Sequence, residues 1–102
     1  MKSRREHRHA SIIYLHGKPV GFGFNTSDCH AEEAALASAG GYNAYEEKRD
    51  FSRHVIVNIR ITPGGRIGIA KPCLACMELL RSRKFRKVIY STNHGTMETI
   101  WL

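Results

Sequence analysis

The spacing of apolar residues changes along the chain, and the changes mark its elements. Apolar residues cluster in Ser11 to Leu15 and in Val20 to Phe24, on either side of His16-Gly17-Lys18-Pro19. This predicts the two strands of a hairpin. A helix is expected next, from about Cys29 to Ala39, with Ser27 or Asp28 as its cap and Gly40-Gly41 as its stop. Tyr42 to Arg53 is polar and mixed in charge, and reads either as a loop or as an extension of that helix. His54 to Thr62 is the clearest strand, with Val55, Val57, Ile59 and Ile61 at every second position. Pro63-Gly64-Gly65 makes a turn, Arg66 to Ala70 leads into a second helix that runs to about Arg83, and Lys87 to Ser91 forms a further strand. Thr99 to Leu102 is expected as a short last one. A hairpin followed by alternating helices and strands predicts an α/β fold, a mixed central sheet of about five strands flanked by helices.

Length and charge narrow this picture. At 102 residues the chain suits a single domain with one modest core, residues 1–102, in which 1–9 is expected to be a mobile basic tail carrying Arg4, Arg5 and Arg8. No apolar run is long enough to span a membrane and no signal-peptide pattern is present, so no membrane partner is expected. Three cysteines do not make a disulfide framework, which points to a reducing, cytoplasmic setting. Sixteen Lys and Arg against nine Asp and Glu give a net charge of +7. An excess of this size favours a phosphate-bearing partner.

Two fragments carry candidate chemistry, His30-Ala31-Glu32 and Pro72-Cys73-Leu74-Ala75-Cys76. Cys73 and Cys76 stand three apart, so on a helix both thiols leave from one face. Pro72 suits the first helical turn, where its missing N–H is no loss. Backbone N–H groups at a helix start favour negative charge, which is expected to lower both thiol pKa values. His30 and Glu32 would diverge by about 200° in mid-helix, but at a helix start both can face one point. The spacing therefore predicts two helix N-termini converging on one metal. Two thiolates and an imidazole leave a fourth position for water, whose pKa zinc can bring to about 7. Glu32 would then move the water's proton, which suits a hydrolytic reaction.

A His-x-Glu followed by Pro-Cys-x-x-Cys is the zinc deaminase signature. Cys29-His30-Ala31-Glu32-Glu33-Ala34-Ala35-Leu36 and Ala70-Lys71-Pro72-Cys73-Leu74-Ala75-Cys76 resemble the core motifs of the cytidine/deoxycytidylate deaminase superfamily. Gly21-Phe22-Gly23-Phe24-Asn25 resembles the strand end before its first zinc helix, and Val88-Ile89-Tyr90-Ser91-Thr92 the strand after its second. The likeness runs from about Gly21 to about Gly95. It implies a cytidine-deaminase-like fold, Zn2+ held by His30, Cys73 and Cys76, and Glu32 as proton shuttle. Asn25 matches a position where many members contact the substrate sugar, and Ala31, Pro72 and Asn93 are the further candidates for substrate binding. A helix before the first strand and an extra zinc-binding insert, common among relatives, have no counterpart here, so the resemblance implies a minimal member.

Each of these residues also has a plainer reading. Cys73 and Cys76 could hold a structural zinc, although a closed site wants four protein ligands. Cys29 reads as a small buried residue. Glu33 reads as a solvated helix carboxylate, and His7, His9 and His16, which offer the donors of a second metal site, read more plainly as histidines exposed in a tail and a turn. Asn93 and His94 either wall the pocket or form a plain Asn-His-Gly turn. The run Arg81-Ser82-Arg83-Lys84-Phe85-Arg86-Lys87 is either a nucleic-acid patch or the cationic end of an exposed helix.

The function expected is conversion of cytosine to uracil in a nucleoside or nucleotide, cytosine being chosen over adenine on the resemblance alone. The alternatives are a cytosine or adenine deaminase acting on single-stranded nucleic acid, an adenine or guanine deaminase with the same machinery, and a non-catalytic zinc domain that binds nucleic acid. A homo-oligomer is compatible with all of them.

Overall fold

The computed structural model describes residues 8–26, 30–40 and 50–102. Among the described residues, six strands and two helices follow one another as β1 (Arg8–Leu15), β2 (Lys18–Phe24), α1 (Ala31–Ser38), β3 (His54–Ile61), β4 (Ile67–Gly68), α2 (Leu74–Ser82), β5 (Lys87–Ser91) and β6 (Met97–Trp101). The strands form one mixed sheet in the order β2-β1-β3-β5-β6, with β4 paired to β3. Among the described strands, only β3 and β5 pair in parallel, joined by the crossover that contains α2.

The first hairpin is tighter and longer than expected. His16 and Gly17 alone make its turn, at φ +54° and +80°, a pair of left-handed residues that matches the twist of two antiparallel strands. Lys18 and Pro19 belong to β2. Pro19 is tolerated because β2 is an edge strand. Arg8 and His9, expected in the tail, open β1, where they pair with Ile61 and Arg60 of β3. His7, Arg4 and Arg5 lie outside the described residues, as does 41–49 of the segment left open between loop and helix. β6 begins at Met97, ahead of the expected Thr99, and pairs antiparallel with β5 around a turn at Asn93 to Gly95.

The core lies on one face of the sheet. Ile13, Ile56 and Val88 stand in one row across β1, β3 and β5 and are fully buried. Leu36 of α1 and Leu80 of α2 join the same cluster, so both helices cover that face. Phe51 and Phe85 close it as a stacked pair 5.0 Å apart, Phe51 with no exposed surface. Nothing in the polar surroundings of Phe51 marks it in the sequence as a core residue.

α1 rests on β2 backbone to backbone. A Cβ at Gly23 would come within 2.5 Å of the Ala35 N, and one at Gly21 within 2.7 Å of the Ala39 Cβ. Ser38 Oγ accepts the Phe22 N–H at 3.3 Å and ties the end of the helix to the same strand. Two residue types without bulk, Gly on the strand and Ala on the helix, set this close approach.

The alternation of Val55, Val57, Ile59 and Ile61 marks β3 correctly but not its covered side. Ile56 and Asn58 point under the helices, and the more apolar set lies on the opposite face. That face also carries Phe22 and Phe24, 58% and 57% exposed, and Trp101 at 70%. Neither described helix covers it.

Candidate metal centre

Two helix starts build the site. At α1 the N-cap is His30 itself, with extended backbone at φ −76° and ψ 155°. The expected caps Ser27 and Asp28, and Cys29 with them, fall outside the described residues. Glu33 Oε1 accepts the His30 N–H at 3.0 Å. The carboxylate expected to be merely solvated thus closes one half of a capping box and fixes the backbone of a candidate ligand.

At α2 the N-cap is Cys73, again extended at φ −71° and ψ 169°. Pro72 precedes the helix instead of opening its first turn, because the cap position falls on the cysteine after it. Cys73 at the cap and Cys76 three residues on bring their thiols together, one exposed and one buried.

His30 Nδ1 lies 3.4 Å from Cys76 Sγ. The ligand atoms of His30, Cys73 and Cys76 all fall within 4.8 Å of one another, a group able to hold a metal ion. Around a tetrahedral zinc, with sulfur at about 2.3 Å and nitrogen at about 2.0 Å, neighbouring ligand atoms would stand roughly 3.5–3.8 Å apart. The donor set therefore fits a small cation with little rearrangement. Burial pushes the Cys76 thiol well above the usual cysteine range, and the Glu32 carboxylate and the Cys73 thiol push it further. The lowering expected from the helix start is outweighed, since desolvation and nearby negative charge both oppose a thiolate. A bound cation would reverse the balance, at the expense of the thiol proton.

A cleft of about 280 Å³ opens beside the group, and its walls include His9, Asn25, Thr26, His30, Ala31, Glu32, Lys71, Pro72 and Cys73. His30 and Glu32 do converge here, as the helix-start spacing requires. Asn25, Ala31 and Pro72, expected to meet substrate, line the same space. Asn25 is held by a pair of bonds to His9, its Oδ1 accepting the His9 N–H at 2.9 Å and its own N–H donating to the His9 O at 3.1 Å. Asn93 is not among the cleft's walls. Its Oδ1 accepts the Ile69 N–H at 3.0 Å, which ties the turn closed by Gly95 at φ +79° to the segment just after β4.

Four residues with no assigned role in the sequence patterns stand around the cleft. His9, Thr26 and Lys71 line it, and Asn58 stands behind it. Asn58 Nδ2 donates to Glu32 Oε2 at 2.8 Å, while Asn58 Oδ1 accepts the Ser11 hydroxyl at 2.7 Å. A lone Asn inside the apolar run of β3 was the available signal. For His9, the signal was the way the β1 pattern extends back through Ala10.

The basic run of Arg81 to Lys87 begins at the opposite end of α2 from Cys73. A helix of nine residues separates them by roughly 13 Å along its axis. Asp50 faces part of this run. Its carboxyl is held below the usual range, first by the Ser52 N–H at 2.7 Å, with Lys84 and Arg86 contributing. Among the described residues no helix is long and apolar enough to cross a membrane.

In comparison with known proteins, no family model and no curated protein matches the chain.

Proposed function

We propose that this protein is a zinc-dependent hydrolytic deaminase that converts cytosine to uracil in a cytidine or deoxycytidine nucleoside or nucleotide, with release of ammonia. One observation carries the reading. Three donors of zinc-preferring type gather within 4.8 Å, and a buried carboxylate outside that group, Glu32, shares the wall of the same cleft. A structural zinc site wants a fourth protein ligand and has no use for such an acid.

Zinc, once bound, supplies Lewis acidity, lowering the pKa of water enough for attack on a ring carbon at neutral pH. The protein's own residues do the rest. Glu32 accepts one proton of the attacking water and passes it to a ring nitrogen, then takes the second from the hydroxyl added at the ring carbon and delivers it to the amino group, so that ammonia departs and a carbonyl remains. Asn25 and Lys71 give the cleft a polar edge suited to a sugar hydroxyl and a phosphate. The choice of cytosine rests on the likeness of both motifs to the cytidine/deoxycytidylate deaminase superfamily. Two neighbouring thiols that must stay reduced to bind metal suit a cytoplasmic location.

The distance between the basic run and the cleft favours a mononucleoside or mononucleotide over a polynucleotide. Zinc-loaded protein offered mononucleosides, mononucleotides and single-stranded oligomers side by side should release ammonia from the small substrates. Glu32→Ala should keep its zinc and lose about two orders of magnitude in rate. Turnover of oligomers alone would favour the nucleic-acid reading, and ammonia from none of them would overturn the deaminase reading.

A further inference from the structure

Glu32 and Asn58 form a buried acid–amide pair, with Ser11 behind it. Ser11, Glu32 and Asn58 are 1%, 7% and 3% exposed, and they come from β1, α1 and β3. An ionised carboxylate can only accept, so the amide must turn its NH₂ towards Glu32 and its oxygen towards Ser11. Ser11 is then compelled to donate. The direction of the whole chain, Ser11 to Asn58 to Glu32, follows from the acid at its end and not from how the amide atoms happen to be assigned. Asn58 Nδ2 also reaches the Ala70 O at 3.5 Å, at the limit of a hydrogen bond. Ala70 stands three residues before Cys73, so one amide touches both halves of the site.

Such a pair is unusual for the place it occupies. Asn58 has Ile56 two residues before it on the same covered face, and an Ile there would fill the space without burying polar atoms. A buried amide is tolerated where its bonds are satisfied and is costly where they are not. Here each of its polar atoms has a partner. The bond to a charged oxygen is of the stronger class, and it holds the carboxylate by one named oxygen, Oε2.

We propose that Asn58 is the positioning residue for Glu32, with Ser11 orienting its amide. This rests on the deaminase reading, which makes Glu32 the proton shuttle. A shuttle must hold its plane to within about 0.5 Å of the productive geometry, and a side chain locked by buried hydrogen bonds achieves this where a rotating carboxylate cannot.

The test combines turnover with unfolding. Asn58→Ala should lower kcat about 10- to 100-fold, as outer-shell losses do, with KM changed less than about twofold and zinc content intact. In a Glu32→Ala background the same change should alter the residual rate less than about twofold, because nothing is left to position. Ser11→Ala should act in the same direction and more weakly, and serves if the Asn58 variant does not fold. The second measurement needs no activity. Asn58→Asp sets two carboxylates against each other and should lower the urea midpoint of metal-free protein. Adding Glu32→Gln restores a donor to the pair and should recover most of that loss. A kcat unchanged in Asn58→Ala, or an equal loss in both backgrounds, overturns the positioning role. Failure of the double exchange to recover the midpoint overturns the pairing itself. Wild-type protein that releases no ammonia would overturn the deaminase reading, while the exchange experiment would still decide whether the pair exists.

Discussion

Under the helices the sheet presents Gly21 and Gly23 on β2, Ser11 and Ile13 on β1, Ile56 and Asn58 on β3, and Val88 and Tyr90 on β5. Its other face presents Phe22, Ile12, Val57 and Ile89 in a single row, flanked by Phe24 and Ile59 on one side. The second face is the more apolar by composition, yet both described helices lie on the first. What draws the helices is therefore not apolar content alone. Glycine lets α1 come down onto the backbone of β2, and a short polar row gives Glu32 something to hold.

The largest difference between the faces is expected at what the covered one carries. Cys76→Ala should weaken zinc binding by more than the roughly 100-fold that an outer-shell change can cost, because it removes a ligand outright. The wild-type site should also be sensitive to pH. The Cys76 thiol is pushed above its usual value by burial and by Glu32, so metal must displace a proton to bind. Affinity should fall as pH falls, since protons then compete better. Competition with a chromophoric chelator in mildly alkaline and mildly acidic buffer measures both effects. Affinity that is flat with pH would remove Cys76 from the ligand set.

Next in size is the apolar part of the covered row. Ile56 has no exposed surface and sits between Ile13 and Val88. Ile56→Ala should cost about 2–5 kcal/mol, the range for a large buried aliphatic truncated to a methyl. A loss below about 1 kcal/mol in urea unfolding would mean that the row is not the centre of the core.

Gly23→Ala comes third. Its added methyl meets backbone and the first carbon of a side chain, neither of which can rotate away. Over-packing of this kind costs about 1–3 kcal/mol. It should also tilt α1 and loosen His30, which chelator competition would register as weaker metal binding. Stability and affinity both unchanged would show that the helix does not rest on this strand as described.

The same contrast explains what could be read from the sequence. The convergence of His30, Glu32, Cys73 and Cys76 was legible because helix-start spacing has few solutions, and the longer strands because their apolar patterns are hard to mistake, whereas the two-residue β4 was not. The covered side of β3 was not legible. A period-2 rule assigns the apolar phase to the core, and here Val55, Val57, Ile59 and Ile61 occupy the other face while Asn58 sits inside. Glu33 and His9 were misjudged for a related reason. Their roles depend on a backbone N–H of His30 and on pairing with Arg60 of β3, neither of which a residue's own chemistry announces. Phe51 is buried by a partner 34 positions away, a contact that no local window contains.

The smallest effect expected belongs to the open face, and it yields the sharpest comparison because it lies one residue from Gly23. Phe22→Thr deletes an aromatic ring, puts a β-branched residue suited to a strand in its place, and should cost less than about 1 kcal/mol. The ring is 58% exposed, and its edge-to-face contact with Phe24 at 5.9 Å is itself at the surface. Truncations at such positions usually fall near zero, because little area returns to water. Adjacent residues of one strand are thus expected to reverse the usual order, with removal of a ring milder than addition of a methyl. Urea unfolding of the two variants under one condition measures the order directly. If Phe22→Thr proves the more destabilising, the open face is packed against something, and the division of the sheet into a covered and an uncovered side fails.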